Sequence, residues 1–379
     1  MPFDLVLNRT GTLTEQVAEG FAKAIRLGRY KPGDVLPSTR NLAVALGVSR
    51  IVTRGAVRLL TEQGYISPRP GLGCVVAANK SRFWKGSVLF VVKNFAGSFY
   101  TNVIADVLRM RLSEAGYLFS QVIVAAGVQW RHDSSGAYDF SGLEMALSQA
   151  VDLVVIMADS SEIASFVAKR KIPFVVIGVR KYGSKSFVGN ITYDRSGAVS
   201  DLVRHCASGG IRSVWQIGVE DDAADAMREL KRAGIVTRRI MVPVDQRYYW
   251  LEGAQRSAMD VVKAKLARPS NRPDLVFFTD DFVAIGGMQA IDSLGISVPG
   301  ELKVVSWANL GVGPVYKKTF TRMEMDPYRH GREVARYVLD CLKFGKPLSA
   351  ARLAPEYKIG DTFPTVSKDK KTRRQNEDS

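Results

Sequence analysis

The sequence predicts an α/β protein in which a small helical N-terminal unit precedes a larger domain of doubly wound parallel sheets. Two observations support this prediction. Within residues 13–64, apolar residues recur at helical spacing in three short segments. Beyond residue 87, short continuous apolar runs alternate with helical segments, which is typical of parallel strands joined by crossover helices. The length of 379 residues and the apolar fraction of 46% allow two or three domains with cores of their own.

The first predicted helix is marked by apolar residues at every fourth position from Leu13 to Ile25. This spacing places them on one face of a helix from Thr14 to about Leu27. Gly28 and Pro32 follow and end the pattern.

Two further helices are predicted on either side of a tight turn at Gly47. Ser38 and Ser49 are the expected N-terminal caps, and Gln63-Gly64 ends the third helix. The positions predicted to face inward are Leu42, Ala45 and Leu46 in the second helix and Val52, Ala56, Leu59 and Leu60 in the third. Two helices joined in this way form a helix-turn-helix.

A short β-hairpin is predicted after the third helix. The apolar runs Tyr65-Ile66 and Cys74-Val76 are separated by SPRPGLG, which is rich in turn-forming residues. The hairpin would form a wing beside the helix-turn-helix.

The predicted third helix carries arginines at positions 50, 54 and 58. At a spacing of four residues their side chains lie about 40° apart and form one stripe, where they repel each other unless an anion lies along them. Residues 1–86 also hold 13 Lys and Arg against five Asp and Glu. A basic surface can simply promote solubility. Beside a helix-turn-helix and a wing bearing Arg69, however, the stripe favours binding of duplex DNA.

Residues 13–77 resemble the winged helix-turn-helix of the GntR family of bacterial regulators. The motifs are LPS-x-R-x-LA, a helix that begins VSR, QGYI, and the Gly-x-Gly of the wing. Val52 and Thr53 stand in the reverse of the family's usual Thr-Val order. The resemblance implies that side chains of the second and third helices touch phosphates or base edges and that the wing glycines approach the minor groove. The predicted DNA-binding set is Ser38, Thr39, Arg40, Ser49, Arg50, Thr53, Arg54, Arg58, Arg69, Gly71 and Gly73.

The chain is predicted to divide into a DNA-binding domain (1–79), a basic linker (80–86), a second domain (87–366) and a disordered tail (367–379). In the second domain a helix is expected from Val103 to Leu112. The predicted strands are Val88–Val92, Val122–Ala126, Leu153–Met157, Phe174–Ile177, Val214–Ile217, Leu275–Phe278 and Val304–Ser306.

A ligand site is predicted beyond the carboxyl ends of these strands, where parallel sheets bind their ligands. Aromatic faces with a few polar groups at these positions suit a sugar, whose CH faces stack while its hydroxyls need hydrogen bonds. Two structural alternatives are open: the aromatic residues can pack against neighbouring loops, and Asp280 or Asp281 can cap the helix that follows. The predicted effector-binding residues are Asn94, Ser98, Phe99, Tyr100, Arg180, Tyr249, Trp250, Asp281, Trp307 and Asn309.

Residues 87–365 are similar to the effector domain of LacI-type repressors, which is related to periplasmic sugar-binding proteins. The segments GSFYTNVIADVLRMRLSEAGY and FFTDDFVAIGGMQAI carry the resemblance, and SWAN stands where the family commonly has GFDD. The resemblance implies that Phe99 and Tyr100 flank the ligand, that Asp194 lies at a crossover and belongs to the predicted effector-binding set, and that Asp281 binds sugar hydroxyls. It also implies a two-lobed, periplasmic-binding-protein-like fold, with lobe 1 formed by residues 87–192 and 311–335 and lobe 2 by 193–310 and 336–366.

The predicted function is that of a ligand-responsive transcriptional regulator. A homodimer would repress by binding operator DNA and would be released by a small sugar-like effector; by resemblance, arabinose is a candidate. Two alternatives are a DNA-binding head fused to a pyridoxal-phosphate enzyme and a sugar-binding module that acts through a protein partner. The sequence shows no matching lysine motif or nucleophile elbow, so no enzyme activity and no cofactor are expected.

A cytoplasmic location is expected, because the sequence shows no secretory signal and no run of 18 apolar residues. No metal site and no membrane partner are predicted. The three cysteines and three histidines are widely separated, and His205 and His330 are expected to be structural.

Overall fold

The computed structural model describes residues 12–26, 28–77, 84–93, 98–124, 138–157, 160–179, 181–219, 223–243 and 250–365. For residues 250–252 it describes the backbone. The predicted tail, 367–379, lies outside the described residues.

The N-terminal unit is a winged helix-turn-helix, as predicted. Three helices, α1 (Leu13–Arg26), α2 (Thr39–Leu46) and α3 (Arg50–Glu62), precede an antiparallel hairpin of β1 (Ile66–Arg69) and β2 (Gly73–Val76). Its core is closed by fully buried side chains from every helix and from the wing, among them Phe21, Leu42, Ala56, Leu60 and Ile66.

The two predicted N-terminal caps are present. Ser38 Oγ accepts a hydrogen bond from the backbone N–H of Asn41 at 3.2 Å, and Ser49 Oγ accepts one from that of Val52 at 3.3 Å. Gly47 ends α2 at a φ of +63°, a left-handed conformation that favours glycine.

The inward face of α2 differs from the prediction. Leu42 is buried as expected, but Ala43 is buried in place of Ala45, which is exposed. Over only eight residues the apolar pattern fits more than one face, and contact with α3 selects among them.

The second domain is built from alternating strands and helices. Its strands are β3 (Gly86–Lys93), β4 (Tyr117–Val124), β5 (Leu153–Met157), β6 (Phe174–Ile177), β7 (Phe187–Tyr193), β8 (Ser213–Gly218), β9 (Val236–Met241), β10 (Leu275–Phe278), β11 (Lys303–Asn309), β12 (Thr321–Met325), β13 (Arg352–Leu353) and β14 (Glu356–Lys358). Its helices are α4 (Phe99–Ala115), α5 (Ser141–Leu147), α6 (Ser161–Lys169), α7 (Ser196–Ser208), α8 (Ala224–Arg232), α9 (Trp250–Leu266), α10 (Asp281–Ser293) and α11 (Pro327–Phe344).

Two six-stranded sheets form two lobes. The strand order is β13-β7-β6-β5-β3-β4 in lobe 1 and β14-β12-β11-β10-β8-β9 in lobe 2, and every pair is parallel except β12 with β14. In lobe 1, α4 and α11 cover one face, and α5 and α6 cover the other. In lobe 2 the two faces are covered by α9 with α10 and by α7 with α8. The predicted doubly wound architecture is confirmed.

The predicted lobe boundaries are wrong near the C-terminus. β12 belongs to the sheet of lobe 2, α11 and β13 pack in lobe 1, and β14 returns to lobe 2. The chain therefore crosses between the lobes at residues 194–195, at Asp326 and at residues 354–355. β13 pairs with β7, more than a hundred residues earlier, β14 pairs with β12 across α11, and β12 pairs with β11. Local apolar patterns carry no information about such pairing.

The predicted linker is also too long at its C-terminal end. Gly86 already begins β3, and the backbone N–H of Lys85 donates to the carbonyl of Gly116 at 2.8 Å. Residues 78–83 of this region lie outside the described residues.

Among the described residues, no helix combines the length and apolar character needed to cross a membrane. The same part of the chain holds no group of three potential metal ligands.

Candidate DNA-binding surface and effector cleft

The arginine stripe lies on the outer face of α3. Arg50, Arg54 and Arg58 are all exposed, while Ala56 and Leu60 on the opposite face are buried. Arg58 pairs with Glu62 at 3.5 Å, and both side chains are largely exposed, so this pair adds little stability. Arg50 and Arg54, nearer the start of the helix, are the two arginines of the stripe best placed to meet a groove of DNA.

Ile51 lies on the same exposed face and was missed by the sequence analysis. Its side chain is 81% exposed. Successive residues turn by about 100° around a helix, which places Ile51 within about 60° of Arg54 and about 20° of Arg58. The signal was available in the sequence, since Ile51 is an apolar residue outside the buried stripe.

Thr53 corrects the predicted DNA-binding set. Its side chain is 1% exposed, and its hydroxyl donates to the carbonyl of Thr39 at 3.0 Å and is 3.1 Å from that of Arg50. The hydroxyl therefore ties α3 to the start of α2, and the prediction that Thr53 contacts DNA is wrong.

The other predicted head residues lie at the surface. Ser38 and Arg40 are exposed at the start of α2, and Thr39 is half-buried. At the tip of the wing, Gly71 and Gly73 have positive φ values of 78° and 94° and are exposed together with Arg69. Only glycine adopts these conformations without strain, so both glycines are needed for the tight turn of the wing.

Four predicted effector residues lie wholly or partly outside the described residues. Asn94, Arg180 and Tyr249 lie outside the described residues. Trp250 begins α9, but its side chain lies outside the described part.

One wall of the cleft between the lobes begins at α4. Ser98 caps this helix, its Oγ accepting from the N–H of Thr101 at 3.3 Å. Phe99 is half-buried and reaches the loop after β11, where a Cβ on Gly311 would stand 3.6 Å from the Phe99 Cζ. Phe99 therefore extends from lobe 1 to a loop of lobe 2, and its contact with a ligand stays a prediction.

Tyr100 bonds two helices of lobe 1 together. Its hydroxyl forms a 2.7 Å hydrogen bond with His330 Nδ1, and its ring packs against Tyr193 at a centroid distance of 6.3 Å. Burial raises its pKa well above the ordinary value for tyrosine. Because its hydroxyl is bonded to His330, Tyr100 links α4 to α11. The residue is half-buried, and its place beside the ligand stays a prediction.

The neighbouring Asp280 and Asp281 have different roles. Asp280 caps α10, with Oδ1 accepting from the N–H groups of Phe282 at 2.8 Å and Val283 at 3.2 Å. Asp281 is 3% exposed, and its Oδ2 accepts from the backbone N–H and the side-chain Nδ2 of Asn309 at 3.1 and 2.8 Å. The Asp281 Oδ1 is buried and has no hydrogen-bond partner among the described residues.

Burial raises the pKa of Asp281 to about 7, against the lowering effect of the bonds from Asn309. The carboxyl group is therefore poised between its neutral and charged forms near neutral pH. An unpartnered carboxyl oxygen of this kind needs a hydrogen-bond partner, and a ligand hydroxyl can supply one.

Three more buried polar groups lie in the same lobe without a partner among the described residues. They are the side-chain amide of Gln216 in β8, the Thr279 hydroxyl after β10, and the Trp307 Nε1 in β11. By the alternation of strand residues, Gln216 shares a sheet face with Val214, which packs under α7 and α8. Buried polar groups in native proteins are nearly always bonded, so this concentration indicates a place for polar ligand atoms or water. Gln216 was missed because it lies inside an apolar run.

Comparison with known proteins identifies both parts of the chain. Residues 13–76 match the model of the gntR family of bacterial regulatory proteins, and residues 203–363 match that of the periplasmic binding protein-like domain. The chain is a GntR-type head joined to a periplasmic-binding-protein-like domain. This confirms the predicted combination and gives the chain the architecture of a bacterial transcriptional regulator.

Curated relatives match different parts of the chain. The uncharacterized HTH-type transcriptional regulator YieP of Escherichia coli K12 is 43% identical over 61 residues, which are 16% of this chain and 26% of YieP. The HTH-type transcriptional repressor CytR of the same organism is 20% identical over 307 residues, covering 81% of this chain and 85% of CytR. The chain thus spans about a quarter of the length of YieP.

Solved structures of low sequence identity share the fold of the effector domain. A LacI family transcriptional regulator from Bifidobacterium animalis has a TM-score of 0.57 at 15% identity, covering 74% of this chain and 98% of its own. The transcriptional regulator CelR in complex with cellobiose has a TM-score of 0.56 at 17% identity, covering 86% of this chain and 100% of CelR. A LacI family regulator from Arthrobacter in complex with lactose has a TM-score of 0.57 at 16% identity, covering 73% and 99%.

In the periplasmic-binding-protein-like domain, Asp194 lies at the first crossover between the lobes. Its Oδ1 accepts from the N–H and hydroxyl of Ser196 at 3.2 and 2.6 Å, and its Oδ2 pairs with Arg352 at 3.4 Å. Asp194 therefore joins two of the segments that connect the lobes, which is the position implied by the resemblance.

Proposed function

We propose that the chain is a ligand-responsive transcriptional repressor that binds operator DNA as a homodimer and is released by a small sugar-like effector. The head would bind DNA, and the cleft between the lobes would bind the effector. The observation that supports this most directly is that the same chain has an exposed arginine stripe on its head and a buried, unpartnered carboxyl oxygen in its second domain.

The head would insert α3 into the major groove. Arg50 and Arg54 would contact phosphates or guanine edges, and Ser49 would present the helix N-terminus to a phosphate. The wing, with Arg69 beside Gly71 and Gly73, would follow the adjacent minor groove. Two heads in a homodimer would bind two half-sites of a pseudo-palindromic operator.

Ile51 would add direct recognition of sequence. In the major groove the thymine methyl is the one apolar group that distinguishes a base pair. An aliphatic side chain exposed beside the arginine stripe, in the first turn of the recognition helix, can bury that methyl, and we propose that Ile51 does so.

The effector would bind where Phe99 of lobe 1 faces the Asp281–Asn309 pair of lobe 2. The aromatic ring can cover an apolar sugar face, and the free Oδ1 of Asp281 can bond a hydroxyl. Trp307, whose Nε1 is buried without a partner and whose ring lies 5.8 Å from the Arg195 guanidinium, supplies a second aromatic group. Solved relatives of this fold are complexes with lactose and cellobiose, which supports a sugar as the class of ligand.

Ligand binding would change the closure of the two lobes about the three crossovers. A coupling of about 1 to 3 kcal/mol between the sites would change DNA affinity roughly 5- to 150-fold.

The DNA-binding half of the proposal is tested by selecting duplexes from a random-sequence pool with the purified protein. We expect a selected sequence with two half-sites, which would also support the homodimer. Arg54→Ala should weaken binding to the selected duplex. It should also make the slope of log affinity against log salt concentration shallower by about the value of one phosphate contact. The matched control is Arg109→Ala, which removes an exposed arginine from α4 and should leave binding unchanged. Failure to select any sequence, or equal losses in both variants, would contradict the proposal.

A further inference from the structure

Helix α4 connects the effector cleft to the DNA-binding head. Its first residue, Phe99, reaches the loop of lobe 2 beside the proposed effector site, and its last turn, at Glu114 and Ala115, contacts α1 of the head. A helix of 17 residues is about 25 Å long, so one rigid element spans lobe 1 from the carboxyl edge of the sheet to the amino edge.

Arg26, the last residue of α1, makes the central contact. Its side chain is 0% exposed. One guanidinium nitrogen donates to the Tyr65 hydroxyl at 2.7 Å, and another donates to Glu19 at 2.6 Å and to the backbone carbonyl of Glu114 at 3.1 Å. A single side chain thus joins the first helix of the head, the start of its wing and the end of α4.

Lys85 makes the second contact from the chain that leads into lobe 1. Its Nζ donates to the carbonyl of Ala115 at 2.9 Å and lies 3.9 Å from the Glu19 carboxylate. Gly116, which ends α4 at a φ of +90°, fits closely against both cations, because a Cβ there would stand 3.3 Å from Arg26 Cζ and from Lys85 Cε.

The chemistry of a helix C-terminus explains this arrangement. The last carbonyls of α4 have no partner within the helix and carry a partial negative charge, so they attract cations and hydrogen-bond donors. Arg26 and Lys85 satisfy two of them, and Glu19 balances the charge of both. Since the Arg26 side chain is fully shielded and its donors are directed, the contact fixes the position of the head on α4 more strictly than an exposed ion pair would.

Nearer its cleft end, α4 packs against α11, the helix that follows the crossover at Asp326. Tyr100 is bonded to His330 of α11, and Gly331 packs so closely on Val107 that a Cβ there would stand 2.7 Å from the Val107 Cβ. α11 begins immediately after the crossover at Asp326, so a change in the angle between the lobes acts on the pair of helices together.

We propose that α4 transmits the state of the effector cleft to the head, and that Arg26 and Lys85 are the positioning residues of this joint. The inference rests on the proposed function. When the lobes close, α4 and its C-terminal turn move as one body, and the joint turns the head with them.

The test uses the reciprocity of coupling, so it needs no identified effector: if the cleft affects the head, DNA bound to the head must affect the cleft. The probe is a duplex selected with the full-length protein. Amide hydrogen exchange of the segment 98–105, at the cleft end of α4, is measured with and without the duplex. We expect the duplex to change its exchange about fivefold or more in the wild type.

Two variants test the joint from its two sides. Arg26→Met and Lys85→Met should still bind the duplex, but the duplex should no longer change the amide hydrogen exchange of residues 98–105. The control is Arg109→Met, which removes an exposed cation of α4 outside the joint and should keep this effect of the duplex. Thermal melting of each variant checks that the head is folded. If Arg26→Met unfolds the head, Lys85→Met alone decides whether the joint couples the head to residues 98–105.

Two results would overturn the joint while leaving the proposed function intact: no change at 98–105 in a wild type that binds the duplex, or the same change in both joint variants. Failure to select any duplex would instead contradict the proposed function, and with it the joint.

Discussion

At the scale of single residues, the role of a side chain depends on neighbours that are distant in sequence. Asp280 and Asp281 are adjacent and chemically identical, yet one caps α10 and the other pairs with Asn309 and keeps an unpartnered oxygen. The sequence correctly places both at a strand end and leaves open which is the cap. Thr53 is a similar case, because its burial follows from the contact of α3 with α2.

Asp281 gives a pH-dependent prediction. Burial raises its pKa in the folded protein to about 7, above the ordinary value of an aspartate. At pH values between the ordinary pKa and about 7, the native state therefore binds more protons than the unfolded state. The free energy of unfolding consequently falls as the pH rises to about 7. Asp281→Asn removes this loss. We therefore expect the free energy of unfolding of the variant, minus that of the wild type, to be about 1.4 kcal/mol higher at pH 8 than at pH 6. Urea unfolding at the two pH values measures this difference.

The control for this measurement is Asp194→Asn. The Asp194 pKa is lowered by the bonds from Ser196, so this carboxyl stays charged at both pH values. Its effect on stability should be the same at pH 6 and pH 8. An equally constant difference for Asp281→Asn would show that Asp281 does not titrate in this range.

Ile51 gives a prediction about base recognition. Replacing the contacted thymine of a selected duplex by deoxyuridine removes one methyl group, and the lost burial should weaken wild-type binding about fourfold. Ile51→Ser should bind the two duplexes equally, because it has no aliphatic group to cover the methyl. Both affinities can be measured by fluorescence anisotropy. A fourfold loss in the variant as well, or none in the wild type at any thymine, would exclude this contact.

At the scale of elements, apolar patterns were sufficient for the three helices of the head, for α4 and for most strands. β5, β6 and β10 have the predicted bounds, and the caps at Ser38 and Ser49 are where the sequence placed them. The failures are short elements, such as the inward face of α2, and strands without a continuous apolar run, such as β12 and β14. In both cases a packing or pairing partner outside the element decides the structure, and the apolar pattern of the element itself does not identify that partner.

Close packing of α9 on α10 gives a prediction at this scale. Gly286 of α10 lies against α9 so tightly that an added Cβ would overlap the backbone carbonyl of Gln255. Gly286→Ala should therefore force the helices apart and lower the free energy of unfolding by about 1 to 3 kcal/mol.

Gly197→Ala in α7 is the matched control, because nothing lies within 4 Å of its added Cβ. Alanine is the better helix former, so this variant should be neutral or gain up to about 1 kcal/mol. Chemical unfolding compares the two. Equal effects of both substitutions would mean that the helices do not pack as closely as described.

At the scale of the whole molecule, the order of the two domains could be predicted and the path of the chain between the lobes could not. The charge of residues 1–86 and the alternation beyond residue 87 are local properties of the sequence. The three crossovers depend on which sheet accepts β12, β13 and β14, and this is decided by pairing with other strands, for β13 with β7 more than a hundred residues earlier. The joint at Arg26 was invisible for the same reason, since its partner Glu114 is 88 residues away.

The central claim is that a sugar bound between the lobes controls DNA binding by the head. The most direct test is to titrate the full-length protein, bound to a fluorescently labelled selected duplex, with a panel of pentoses, hexoses, uronates and their phosphates. We expect one class of sugar to weaken DNA binding by roughly 5- to 150-fold, and Asp281→Ala to reduce this response. Unchanged affinity with every sugar, or tighter binding with the one that responds, would contradict it.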